Sequence, residues 1–511
     1  MAIVRSERAF VAKRFLKMAG SFAAGAVIAG GAIAAIQPPK APAVTETVTT
    51  TVTETEPLVT SGDINAFRSA LERDGFIVQE GNIGVLDVLG LFEAGYLDSC
   101  YGNNPSTPYM ICWMPAAPGE TIDTAESIEI GKAVGNKFLV EGLQTDFKLR
   151  PDEAVVFVGS TPPAAAYFSY VSYLFTRVIA DERSTIFASL GDTLNHLRIN
   201  TEGTPNGSEG DPFDKSTVIV STADMGIDER VRAAAMSAGY SPAIMNTDVI
   251  PSGVVTMGLE DDADTFLGLL RLAFFEDKEA GDAYMKNSGA SVLRLTPKEP
   301  TSLVPFGVQQ LRPRGTGNAK ELDLFGAVND LRQAILAKYV GLKATDLNTS
   351  IWLLEGFDAI QRGVNAIGEN RDTTYLRTDE FTLDDDPNEF LIVYGVNHAA
   401  TGKATYSNFG IFGAKIINGI GAVSSQDLSG TAETYIPGHA ASRYLYAWKV
   451  ARKSRGDPRC LEIPWGRKAH GIELNEGAFV GFRAYVEKET KVGPFWSEIL
   501  YDRVIKFSPK P

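Results

Sequence analysis

The chain has only four histidines in 511 residues, and His398 lies in its densest polar stretch, 395-GVNHAATGKATYSN-408. An imidazole titrates near neutrality and serves as base, acid or metal ligand. Asn397, Thr401, Lys403 and Asn408 crowd around it, and Lys403 would steady an anion. Such density at the end of an apolar strand suits a site, although a lone histidine is commonly a hydrogen-bonded structural residue. A second stretch, 368-GENRDTTY-375, sets Glu369, Arg371 and Asp372 in one turn. There an arginine could orient a carboxylate; the simpler reading is a helix C-cap at Gly368 with a surface ion pair. The third, 188-ASLGDTLNHLRIN-200, puts Asp192 and His196 four apart. On a helix they would share a face, a spacing that metal ligands use. The catalytic candidates are therefore His398, Lys403, Glu369, Arg371 and Asp372. The metal candidates are Asp192, His196 and His398, for zinc or calcium.

Several sharper motifs fall short. A phosphate loop needs G-x-x-x-x-G-K-[ST], so that backbone amides wrap the phosphates and a hydroxyl holds magnesium. Here 397-NHAATGKAT-405 begins with Asn397 and has Ala404 where the hydroxyl belongs. Gly191-Asp192-Thr193-Leu194 resembles the G-D-S-L block of a lipase and esterase family, which implies a serine nucleophile. Thr193 stands in that place, and no D-x-x-H follows near the C-terminus. Glu369-Asn370-Arg371-Asp372 after Gly368 is similar to the G-D-N-R-D box of signal peptidases, but the Ser-Lys pair of that family is missing. The acidic run 384-DDDPNE-389 offers oxygens for calcium without the central glycine of an EF-hand, so a solvated hairpin turn is the plainer reading.

The position of these residues in the cell follows from the N-terminus. Arg5, Arg8, Lys13, Arg14 and Lys17 precede an uncharged run, 19-AGSFAAGAVIAGGAIAAI-36. That order reads as a signal peptide or signal anchor with its basic end in the cytoplasm. The run 37-QPPKAPAVTETVTTTVTETEP-57 has little to bury and reads as an extended stalk. It resembles the Thr-rich stalks of archaeal surface proteins in composition. Lys and Arg number 48 against 63 Asp and Glu, a formal net charge of -15, which argues against nucleic acid as a partner. Of three cysteines, Cys100 and Cys112 flank a loop that a disulfide would close in oxidising surroundings; two buried thiols are the alternative. Asn206 and Asn348 fit the N-glycosylation tripeptide.

These features need a scaffold. The expectation is an α+β protein: residues 1–36 hydrophobic, 37–60 a stalk, 61–150 helical with the cysteine loop, 151–300 an α/β region with a mixed, partly parallel sheet, and 320–511 a helical pair followed by a β-rich part. Asp63 should cap a helix. Strand, helix and strand are expected at 217–222, 225–239 and 243–250. Helices are expected at 83–92, 262–275, 321–341 and 349–367, and strands at 154–159, 185–190, 390–396, 478–486 and 499–507. Pro and Gly make 297–319 a linker. Two functions are compatible with this plan. One is a membrane-tethered hydrolase acting on an extracellular small molecule or polymer; the other is a non-catalytic cell-surface binding or envelope protein.

Overall fold

The computed structural model describes residues 62–94, 108–466 and 471–510. The apolar segment, the stalk and Cys100 therefore lie outside the described residues. Among the described residues no helix is long and apolar enough to cross a membrane.

The protein is mixed α+β. A ten-stranded sheet runs in the order Glu182–Ser189, Ala165–Ile179, Thr265–Phe275, Tyr109–Trp113, Phe76–Val85, Ser291–Pro297, Ala154–Ser160, Ser216–Thr222 and Met245–Val249, with Leu194–Asn195 pairing onto Ala165–Ile179. Among the described residues its one parallel pair is Ser216–Thr222 with Met245–Val249. The crossover between them is the helix Met225–Ser237, whose start is fixed by Asp224 accepting from the Ile227 amide at 3.0 Å. Ile227, Val231, Ala234 and Ala235 bury one face against the sheet, at ~2 kcal/mol for each larger aliphatic. The expected strand-helix-strand unit is thus present. Asp63 does cap its helix, accepting from the Asn65 and Ala66 amides.

The sheet curls because one strand serves two partners. Residues 76–81 pair with Ser291–Pro297, while 82–85 pair with Tyr109–Trp113. Phe157, Tyr170, Ile219, Phe266 and Leu270, all from its strands, share one core.

Two helix expectations are corrected here. The run at 262–275 forms the strand Thr265–Phe275, because it lies between two partners and nearly every residue is buried. An apolar run buried on both faces lacks the alternation that marks a strand. Gly268 belongs to this arrangement: an added Cβ would lie 2.9 Å from Cys112 Sγ. The expected helix at 83–92 is reduced to Val88–Glu93, since 83–85 remain in the sheet.

Beyond residue 320 two five-stranded sheets face each other. One runs Lys343–Leu347, Arg503–Ser508, Phe390–Val396, Leu445–Ala451, Cys460–Glu462; the other runs Thr349–Ile351, Thr373–Thr378, Ala478–Tyr485, Tyr406–Gly413, Gly419–Ser424. Leu391, Val393 and Val504 from the first meet Phe409, Ile411, Val480 and Phe482 from the second. The helix Phe325–Lys338 covers the outer face of the first sheet with Val328, Leu331 and Ile335. The helix expected at 349–367 is shortened to Gly356–Arg362. Residues 349–351 join a strand, and Gly363, with φ of 62°, ends the helix. Its cap is therefore not Gly368.

The two parts join through aromatic side chains. Tyr167 packs on Tyr485 at 4.7 Å between centroids, and Phe274 on Tyr406 at 5.6 Å. The expected linker carries no helix or strand between Pro297 and Lys320, but it is held along its length. Asp224 accepts from the Val304 amide, Asp192 from that of Arg312, and Glu498 from those of Thr316 and Gly317.

Candidate functional site

The three polar stretches form two centres. The first lies where the two parts meet. After the strand Glu182–Ser189 the chain turns back, and Leu194–Asn195 pairs with Ser169 and Tyr170. The His196 amide donates to the Phe168 carbonyl at 3.1 Å. This pairing satisfies the backbone as a ladder, so the segment after Asp192 is not helical, and Asp192 and His196 do not share a helical face. Asp372 instead draws the segment in. It accepts from Tyr167 Oη at 2.7 Å, from Asn195 Nδ2 at 2.6 Å and from the Thr193 hydroxyl. Burial raises its carboxyl above the usual range despite these donors.

Arg371 donates to Asp192 at 2.7 Å, to Glu355 and to the Arg312 carbonyl. The surface ion pair expected of the simpler reading is a buried one, because the 369–372 turn is covered by the opposite part. Glu369 accepts from the Ser189 amide at 3.1 Å and hydroxyl at 2.6 Å. Its carboxyl is pushed up to about 7, chiefly by burial. His196 is packed among Tyr167, Phe168 and Phe213, with Nδ1 lacking a partner. Burial pushes it down to about 4.

The second centre is the turn after Phe390–Val396. Asn397 fixes it by donating to the Ser425 carbonyl at 2.8 Å and accepting from the Ala400 amide. Gly402 has φ of 78°, a left-handed position suited to glycine. His398 is buried between two carboxylates: Nδ1 lies 3.0 Å from Glu321, and Nε2 lies 3.4 Å from Asp502. Burial disfavours its charge, but the two carboxylates outweigh burial and push it up to about 10. Burial likewise opposes ionisation of Glu321, and His398 reverses that, holding it below the usual range. Glu321 also accepts from Thr401 at 2.8 Å and from the Leu500 amide at 3.0 Å.

Lys403 donates to Glu487 at 2.6 Å, to Glu498 and to the Asn318 carbonyl at 3.1 Å. An ammonium has three protons, and these acceptors take all of them. Desolvation works against its charge, but the two glutamates hold its pKa above the ordinary lysine value.

A pocket of about 330 Å³ opens on this turn, lined in part by Thr316, Glu321, Thr401, Lys403, Tyr444 and Glu487. That volume is at the lower end for small-molecule sites.

The structure therefore brings 369–372 to 189–195, while the partners of His398 and Lys403 come from elsewhere. Among the described residues no group of three His, Cys, Asp or Glu is arranged to hold a metal ion. Asp192, His196 and His398 thus do not meet as a ligand set, and Asp192 is engaged by Arg371 and Arg312. In the acidic run, Asp385 pairs with Lys453 and Glu389 with Lys506. The Cys112 thiol is buried, 3.8 Å from Tyr170 Oη, and burial pushes it up to about 12. Sequence reasoning missed Glu321, Glu487, Glu498 and Asp502. Isolated carboxylates carry no spacing signal, and only the fold gathers them.

No protein-family model matches the chain, and no curated protein matches it in sequence. Among solved structures it is similar to an uncharacterised protein from Burkholderia cenocepacia, at 12% identity and a TM-score of 0.37, covering 87% of this chain and 85% of that one. It is also similar to the VPA0106 protein from Vibrio parahaemolyticus, at 11% identity and a TM-score of 0.35, covering 75% of this chain and 96% of the other.

Proposed function

We propose that this chain is an extracytoplasmic protein, tethered to the membrane by its N-terminal apolar segment, and that its body binds a small polar ligand in the pocket beside Thr401 and Lys403. The observation that carries the binding reading is a pocket whose polar floor is already fixed by internal ion pairs. Preorganised polar groups of this kind lower the ordering cost of binding. Hydrolysis is the weaker reading. A histidine held as imidazolium between two carboxylates is no base at neutral pH, and a lysine with every proton engaged is no nucleophile. The basic flank and charge-free run at 5–36 support the tether.

The test is a thermal-shift screen of the full chain against small polar solutes, repeated with Glu489→Trp, which places a bulky ring at the pocket lining. Hits that vanish in the variant support the reading. Hits unaffected by it, or none at all, would overturn it. Protease shaving of intact cells tests the tether: a body that stays protected until lysis contradicts extracytoplasmic exposure.

A further inference from the structure

Two ion-pair clusters at and behind the pocket floor carry a built-in excess of negative charge; Glu321, Lys403 and Glu487 line the pocket, and His398, Glu498 and Asp502 lie behind them. Lys403 faces Glu487 and Glu498, and His398 faces Glu321 and Asp502. Two cations against four carboxylates leave a formal charge of -2, and all six side chains are buried. Buried charge without a counter-charge is costly in a low-dielectric setting. Glu487 lines the pocket itself, and its Oε2 has a single contact, the Thr490 hydroxyl at 3.5 Å. The Lys403 ammonium is saturated, so it has no proton left for an incoming anion. The rim is mixed in sign: Lys320 and Glu489 both line it, and Arg443 stacks on Tyr444 at 4.5 Å. Any preference for charge therefore resides in the floor.

The excess does not call for a bare metal ion. No group of three His, Cys, Asp or Glu among the described residues is arranged to ligate one, and about 330 Å³ is far more room than one ion fills. Leu324 and Tyr444 supply an apolar and aromatic wall. Carboxylate oxygens below such a wall match a short carbon skeleton ending in an ammonium group, which forms charge-assisted hydrogen bonds and packs on aromatic faces.

Resting on the binding reading above, we infer that the pocket selects a small organic cation, with its ammonium placed at Glu487 and its carbon skeleton against Leu324 and Tyr444. The floor supplies the missing counter-charge in advance, so the ligand neutralises what the protein leaves unpaired.

Three probes of equal length separate the possibilities: 1,4-diaminobutane, 1,4-butanediol and succinate, each titrated into the full chain by calorimetry at low and high salt. Diaminobutane should bind best and weaken as salt rises. Glu487→Gln keeps a hydrogen-bonding side chain beside Lys403 and should weaken diaminobutane about tenfold or more. Should that variant fail to fold, Glu489→Gln at the exposed rim should weaken it roughly two- to fivefold. Binding of succinate or butanediol as tight as that of diaminobutane would overturn the cation preference and leave the pocket reading standing. Binding of none of the three would overturn both.

Discussion

Arg371 and Asp192 lie 179 residues apart in the chain and 2.7 Å apart in space, with side chains only 6% and 5% exposed. The pair ties the turn after the shortened helix to the turn after the edge strand of the ten-stranded sheet. Removing one partner of a buried pair leaves an uncompensated charge. Arg371→Leu should therefore cost about 3 kcal/mol or more in urea unfolding. Asp385→Asn, which breaks the more exposed pair with Lys453, should cost less than about 1 kcal/mol. Equal losses would contradict the buried placement.

His398 gives the alkaline limb of stability. Its folded value of about 10 lies above its ordinary 6.5. A raised value means the contribution is fully present below 6.5 and is lost as pH rises towards 10. The melting-temperature gap between the native chain and His398→Gln should be widest near about pH 6 and shrink towards about pH 10. A gap that stays constant would show that the imidazolium is not what Glu321 and Asp502 hold.

Glu369 acts in the same direction for a different reason. Its carboxyl is raised from 4.5 to about 7 by burial, so the folded state favours the protonated form. That contribution is fully present below 4.5 and fades as pH rises through 7. Glu369→Gln imitates the protonated acid and should stabilise the protein above about pH 8, by about 3 kcal/mol at most. Denaturant midpoints across this range measure it, and a variant less stable than the native chain at every pH would refute it.

His196 works on the acid side. Its value falls from 6.5 to about 4, so its contribution is present above 6.5 and is lost as pH falls through 4. His196→Phe suits the surrounding rings and removes the titration. The variant should hold its melting temperature between about pH 6 and 4 better than the native chain does. Parallel acid limbs in the two proteins would exclude His196 as their source.

How much of this could be read from sequence depended on whether the signal was local. The segment 225–239, ending in glycine, and the apolar runs that flank it carry local signals, so the strand-helix-strand unit was legible. So was a helix within 321–341, found as Phe325–Lys338. The run 265–275 was not, because a strand buried on both faces has no alternation to betray it. For the site, His398, Lys403 and the 369–372 turn were visible as polar density. Their partners were not: Glu321 and Asp502 lie 77 and 104 residues from His398, and long-range pairing leaves no local spacing. Asp192 was visible as a candidate, but its partners, Arg371 and the Arg312 amide, were not. The helical spacing of Asp192 and His196 depended on a local conformation that the ladder with the Ala165–Ile179 strand replaces.

The segment from 298 to 319 works as a suture. Its backbone amides hang from Asp224 and Asp192 on one part and from Glu498 on the other, and its Arg312 carbonyl is gripped by Arg371. A single peptide-bond cut between Val304 and Arg312 would leave both loose ends anchored. The nicked protein should then travel as one particle in native sizing and fall into two fragments only in denaturant. Two separately made halves meeting at this seam would have the contacts needed to find each other again.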